Sequence, residues 1–205
     1  MKKLLSIFFI GCICAFVACN SSSSSENSTD SAKNINDSMM SDSNSMMNND
    51  TSSTTAMSSA PVSQEDADWA VDVANAGMTE VELSKVAQTK ATNPRLKNFA
   101  DMMVTDHSKA NDQLKQLAAT KNITLPANLS DASQKKLDNL NKKTAGKDFD
   151  KAYIDDMLDG HKKAVDKLQK GSTDLKDADL KNFATQTLSV VQMHQDSIKA
   201  IAGKK

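Results

Sequence analysis

From Val62 onward, apolar side chains recur every three to four positions, the spacing that turns one face of a helix toward a core. The first such stretch opens at Ser63-Gln64-Glu65-Asp66, a capping serine with an acid three residues on, and runs to about Thr89. Its inner face reads Trp69, Val73, Ala76, Glu80, Leu83, Ala87. The second opens at Asn93-Pro94, a cap followed by proline at the first helical position, and presents Leu96, Phe99, Met103, His107, Ala110, Leu114 and Leu117. Ile123 to Pro126 breaks the pattern. A short connecting helix is expected from Ser130 to about Asn141, apolar only at Ala132, Leu137 and Leu140. The third long stretch begins near Asp148, presents Tyr153, Met157, His161, Ala164 and Leu168, and should stop at Gly171 as a C-terminal cap. The last runs from about Asp177 to Ile201 and presents Leu180, Phe183, Thr187, Val191, His194, Ile198 and Ile201. Strand patterns are nearly absent. Residues 63–205 therefore predict an all-α fold, an up-down-up-down four-helix bundle with a short extra connecting helix.

Upstream the pattern disappears. Residues 19–62 are Ser, Asn, Asp, Thr and Met with no aromatic residue and no periodic apolar face, and read as a disordered tether. A flexible chain of that length has a root-mean-square reach of roughly 35 Å. Its methionines, Met39, Met40, Met46, Met47 and Met57, offer thioethers that suit Cu(I), although a polar linker carries methionine without any such purpose as well. Residues 1–18 have the layout of a secretory signal: Lys2 and Lys3, an apolar run from Leu4 to Phe16, and small residues before Cys19. That run is too short to span a bilayer, which takes about 20 apolar residues. Val17-Ala18-Cys19 resembles the lipobox of bacterial lipoproteins, with Phe16 where leucine is usual, and the resemblance implies acylation of Cys19. Asn20 is not the aspartate associated with inner-membrane retention, so the expected location is the outer membrane, facing the periplasm.

Composition narrows the chemistry. Cleavage of the signal removes Cys12 and Cys14, which excludes disulfides, zinc-thiolate sites and cysteine nucleophiles from the mature domain. Loss of Lys2 and Lys3 takes the formal charge from -1 to -3, and no basic patch points to nucleic acid. The partner implied is a membrane, through the lipid; protein partners are not legible. A gapless echo joins Phe99–Leu114 to Tyr153–Leu168, matching aromatic, Asp, Met, His, Lys, Ala, Asp and Leu. A shorter one joins Leu96-Lys-Asn-Phe-Ala100 to Leu180-Lys-Asn-Phe-Ala184. The longer echo suggests that the second and third long helices share an ancestral segment.

Four ionisable residues sit on apolar stripes, one on each long helix: Glu80, His107, His161 and His194. Counting from the predicted turns at about 1.5 Å per residue places Glu80, His107 and His161 at one level, with His194 roughly 10 Å lower, near Trp69. Met103 and Met157 precede their histidines by four residues on the same face. Glu80, His107, His161, Met103 and Met157 form a candidate site for copper or another divalent ion, with His194 in second rank. The same groups also suit a purely structural polar network that fixes bundle register. No Glu-x-x-His occurs, and the helical domain holds only Glu65, Glu80 and Glu82, too few carboxylates for a di-iron centre. A Ser84–His107–Asp106 triad fails because Asp106 points about 100° away from its neighbour on the helix. Gly-rich phosphate loops and motifs for nucleotide, flavin or haem are absent, and no catalytic residue is assigned.

Gly77-Met78-Thr79-Glu80-Val81-Glu82-Leu83, Ala91-Thr92-Asn93-Pro94, the Phe99–His107 run, Phe149–Tyr153 with His161, and His194 together resemble the bacterial domain of unknown function 4142. That resemblance covers about Asp66 to Ala202. It implies a ferritin-like bundle in an exported or outer-membrane protein, and says little about chemistry. The reading is an envelope lipoprotein with a binding or stress-protective role. Its alternative is a periplasmic metal-binding protein. Replacing Cys19 by Ser should move the protein from membranes to the soluble periplasm; unchanged fractionation would remove the acyl chain as anchor.

Overall fold

The computed structural model describes residues 27–46 and 62–203, so the signal-like segment, Cys19, Met47 and Met57 lie outside it. Helices α1 (Ser28–Met46), α2 (Gln64–Lys90), α3 (Pro94–Thr120), α4 (Asp131–Asn141), α5 (Lys147–Asp174) and α6 (Ala178–Ile201) make up the described chain, which contains no strand. Helix starts follow the capping residues read from the sequence. Ser63 Oγ accepts from Asp66 N at 3.2 Å, Asn93 Oδ1 from Arg95 N at 2.9 Å, and Ser130 Oγ from Ser133 N at 3.2 Å. Asp177 Oδ1 accepts from Asp179 and Leu180 N at 3.1 and 3.0 Å. Each satisfies amides that the first turn leaves unpaired. Gly171 is not the cap expected of it: α5 continues to Asp174. A Cβ at that position would lie 2.7 Å from the Trp69 ring, so the glycine is there to seat the indole.

Helices α2, α3, α5 and α6 form an all-α, ferritin-like four-helix bundle. Helices α2 and α3 make one hairpin, α5 and α6 the other. The segment between the hairpins travels back along α2, held by Thr79 Oγ1 donating to Ser133 Oγ (2.7 Å) and by Asn75 Oδ1 accepting from Ser130 N (2.9 Å). Helix α5 thus starts at the same end as α3, and the long helices run up, down, down, up rather than in simple alternation. One long crossover is the connection that distinguishes ferritin-like bundles.

Two aspartates tie the hairpins together. Asp150, at the start of α5, accepts from Thr92 N (2.9 Å), Thr92 Oγ1 (2.7 Å) and Asn93 N (3.0 Å) in the first hairpin's turn. Asp66, at the start of α2, accepts from Lys176 N (3.1 Å) and Asp177 N (2.7 Å) in the second. These counterparts stand 84 positions apart, as do the caps Asn93 and Asp177, the rings Trp69 and Tyr153, and the short Leu-Lys-Asn-Phe-Ala echo. The repeat that organises the fold is therefore hairpin on hairpin, and the longer echo between the second and third long helices is not its basis.

Apolar packing forms two clusters. One contains Trp69, Leu114, Leu168, Leu180 and Phe183; the other contains Leu83, Phe99, Met103, Tyr153, Met157 and Ile198. On every long helix the ionisable residue falls between them.

The tether expectation fails for residues 28–46, which form α1 against the bundle. Polar residues of low helix propensity hid it. Thr29, Ala32 and Asn36 are buried along one face and Met40 packs on the core, whereas Met39 is exposed. Asn36, wholly buried, donates from Nδ2 to Thr124 O (3.1 Å) and accepts at Oδ1 from Thr124 N (2.7 Å). Its amide thereby replaces a backbone partner for an irregular segment. Asn36→Ala should strand both Thr124 groups at a cost of about 1–3 kcal/mol. Amide exchange in residues 28–46 should then accelerate while the bundle melts cooperatively as before; unchanged protection of α1 would refute this role.

Candidate metal centre

Three imidazoles converge between the apolar clusters. His107 on α3, His161 on α5 and His194 on α6 are buried, and one ring nitrogen from each lies within 4.8 Å of those from the other two. Their ring centroids are 5.2 to 5.8 Å apart, and Phe99 closes the group from above, with centroids 6.1 Å from His161 and 6.5 Å from His194.

The second nitrogen of each ring faces an oxygen. His161 Nδ1 lies 2.9 Å from the Met157 carbonyl, which only accepts, so Nδ1 carries the hydrogen and Nε2 holds a lone pair. That Nε2 is buried and has no hydrogen-bond partner. His194 Nε2 donates to Asp106 Oδ2 at 2.9 Å, which leaves its Nδ1 lone pair facing His107 Nε2 at 3.2 Å. His107 Nδ1 lies 3.1 Å from Glu80 Oε2. Glu80 Oε1 is 3.4 Å from His161 Nδ1 and has no hydrogen-bond partner of its own. Gly160 gives Glu80 its room, since a Cβ there would come within 3.0 Å of Oε1.

Burial sets the protonation. Removal from water pushes Glu80 up to about 8 against the opposing charge of Lys136, and pushes His107 down to about 3, helped by the neighbouring His161 and His194. His161 is likewise lowered by burial, to about 4, despite its bond to the Met157 carbonyl. Near pH 7 Glu80 keeps its proton and His107 and His161 are uncharged, with Glu80 as a hydrogen-bond donor to His107.

The predicted trio Glu80, His107 and His161 is thus brought together. His194 joins it instead of lying near Trp69. Helix α6 starts at the Trp69 end, where Asp66 accepts from Asp177 N, so the run from Asp177 to His194 leads away from Trp69; the side chains then lean toward their own helix N-termini, which in antiparallel helices moves His161 and His194 toward each other. Met103 and Met157 are fully buried in the apolar cluster above the imidazoles. Asp106 was missed as a partner because it was tested only against His107, its sequence neighbour. Ser84 donates to, or accepts from, Tyr153 Oη at 2.7 Å and has no histidine partner.

A helical bundle with inward histidines on three helices is the class this geometry defines. The chain belongs to the family described as Domain of unknown function (DUF4142), which matches residues 51–201. No curated protein matches it in sequence. Two solved structures are similar in fold. A DUF305 fragment from Deinococcus radiodurans superposes with a TM-score of 0.62 at 10% identity, covering 70% of this chain and 98% of that one. CopM in the Cu(II)-bound form superposes with a TM-score of 0.57 at 17% identity, covering 66% of this chain and 93% of that one.

Stability of the metal-free protein should peak near pH 6.5. Below that value the unfolded histidines take up protons that His107 and His161 refuse, so stability falls as pH drops toward 4. Above it the unfolded Glu80 is already ionised while the folded one keeps its proton, so stability falls as pH rises through about 8. Denaturant titrations of Glu80→Gln should lose the alkaline limb and keep the acid one; an alkaline limb that survives would contradict the assignment.

Proposed function

We propose that the protein is a periplasmic metal-binding lipoprotein whose bundle holds one divalent ion, copper(II) foremost, on His107, His161 and His194. The observation that carries this is the orientation of the rings. His161 Nε2 and His194 Nδ1 hold lone pairs while their opposite nitrogens donate to the Met157 carbonyl and Asp106, and His107 Nε2, which points at His194 Nδ1, would be freed as a third ligand when Glu80 gives up its proton and accepts from His107 Nδ1. Outer acceptors of this kind fix tautomer and ring angle around bound metals. A structural network would pair its polar atoms. This one leaves His161 Nε2 and Glu80 Oε1 unpaired in the interior.

Imidazole suits zinc, copper and nickel, and copper(II) heads the affinity order for nitrogen ligands. The Cu(II)-bound state of CopM agrees with that choice. Bound there, the ion supplies a Lewis-acid or redox centre. The chain's own residues hold the imidazoles, keep the Phe99 side dry and, through Glu80, offer a charge to balance the cation. Met103 and Met157, above the rings, would be the softer donors of a reduced ion. The lipobox at Cys19 and its flanks support anchoring at the outer membrane.

Copper added to metal-depleted mature protein should bind at one ion per chain and give a Cu(II) paramagnetic-resonance spectrum with nitrogen splitting. At a free concentration a hundred times Kd it should add about 2.7 kcal/mol of stability. His161→Ala should abolish the signal, and Asp106→Asn should weaken binding about 10–100-fold. A melting temperature indifferent to copper, zinc and nickel would sink the reading.

A further inference from the structure

The hairpin repeat sets two different environments side by side. Each residue of the polar layer has a counterpart 84 positions away: Glu80 in Ala164, His107 in Val191, His161 in Gly77 and His194 in Ala110. All four counterparts are small or apolar, and all four line one cavity of about 270 Å³ that enters between α2 and α5 and reaches Glu80 and His107. Positions on the inner stripes that fail to bury fully, including Val73, Ala76 and Thr187, line the same space. Above the imidazoles Phe99, Met103 and Met157 are buried, whereas below them Val73, Ala110 and Ala164 are only partly so. The unpaired Glu80 Oε1 belongs to a residue at the cavity's inner end, and the Asn111 amide, seated on Gly77, supplies a second polar group in the wall. In a ferritin-like protein with ligands on both halves of the repeat, this volume would hold a second set.

We propose that the cavity is a ligand pocket: it admits a small molecule carrying one nitrogen or oxygen donor on a compact apolar body, and that donor completes the coordination of the ion on the histidines. The proposal rests on the metal reading above. Three protein nitrogens leave a fourth position to an outside ligand, as in centres that exchange ligands. The apolar walls exclude bulkier chelators and favour a dry, compact molecule.

Azide and imidazole are suitable probes on the copper-loaded mature protein. Azide should add a charge-transfer absorption band and alter the resonance spectrum. Ala164→Leu and Ala76→Leu, which fill the cavity without touching a ring nitrogen and do not line the opposite cleft, should weaken azide and imidazole binding tenfold or more while the azide-free copper spectrum stays as it is. Val73→Leu enters the same space from α2 and serves where an alanine variant does not fold. Copper that binds but ignores both probes overturns the inference and leaves the metal reading standing. Equal probe affinity in the wild type and the filled variants also overturns it, and assigns access to the opposite cleft between α3 and α6, lined by Gln113 and Gln186. Absence of bound copper overturns the metal reading first, and the inference with it.

Discussion

Desolvation of one carboxyl group and three imidazoles at a single level is the constraint on which the rest of this bundle turns. Four ionisable groups in an apolar interior are costly unless each is neutral or paired. Here neutrality is reached by holding a proton on Glu80 and keeping His107 and His161 uncharged. The hydrogen bonds that result run from the core outward, through His107 and His194, to half-exposed Asp106. Such a layer separates two apolar clusters that would otherwise merge, so the molecule retains it at the expense of packing. That retention is the physical reason to look for a ligand there.

The helices were legible because their signals are local. Ser63, Asn93, Ser130 and Asp177 announce helix starts by their chemistry, and the apolar stripes name most of the large core side chains, although Val71, Val81, Phe149 and Leu175 are buried off them. Local signals fail where a distant partner decides. Gly171 looks like a stop until Trp69, far away in sequence, is seen to occupy the space beside it. Helix α1 looks like solvated linker until Asn36 meets Thr124. Both are tertiary overrides of propensity.

The site was half legible for a similar reason. Counting residues from the turns placed Glu80, His107 and His161 together, because those three levels depend on turns that capping residues mark. His194 was misplaced because α6 starts at the Trp69 end and leads away from it, and the lean of the side chains was not in the count. Asp106 could have been found by asking which helix it faces rather than which residue it adjoins. The ring orientations, which turn a cluster into a candidate centre, depend on acceptors supplied by three different helices and cannot be read from spacing.

The reciprocal aspartates have a mechanical corollary. Asp66 and Asp150 fasten each hairpin's bend to the opposite hairpin, and they do so at the two extremities of the barrel-shaped body. With its poles buckled, the bundle has no end through which to open. Whatever reaches the imidazoles would come sideways at the waist, past the ion pairs of Lys167 with Asp72 and of Lys136 with Asp156 that flank the cavity.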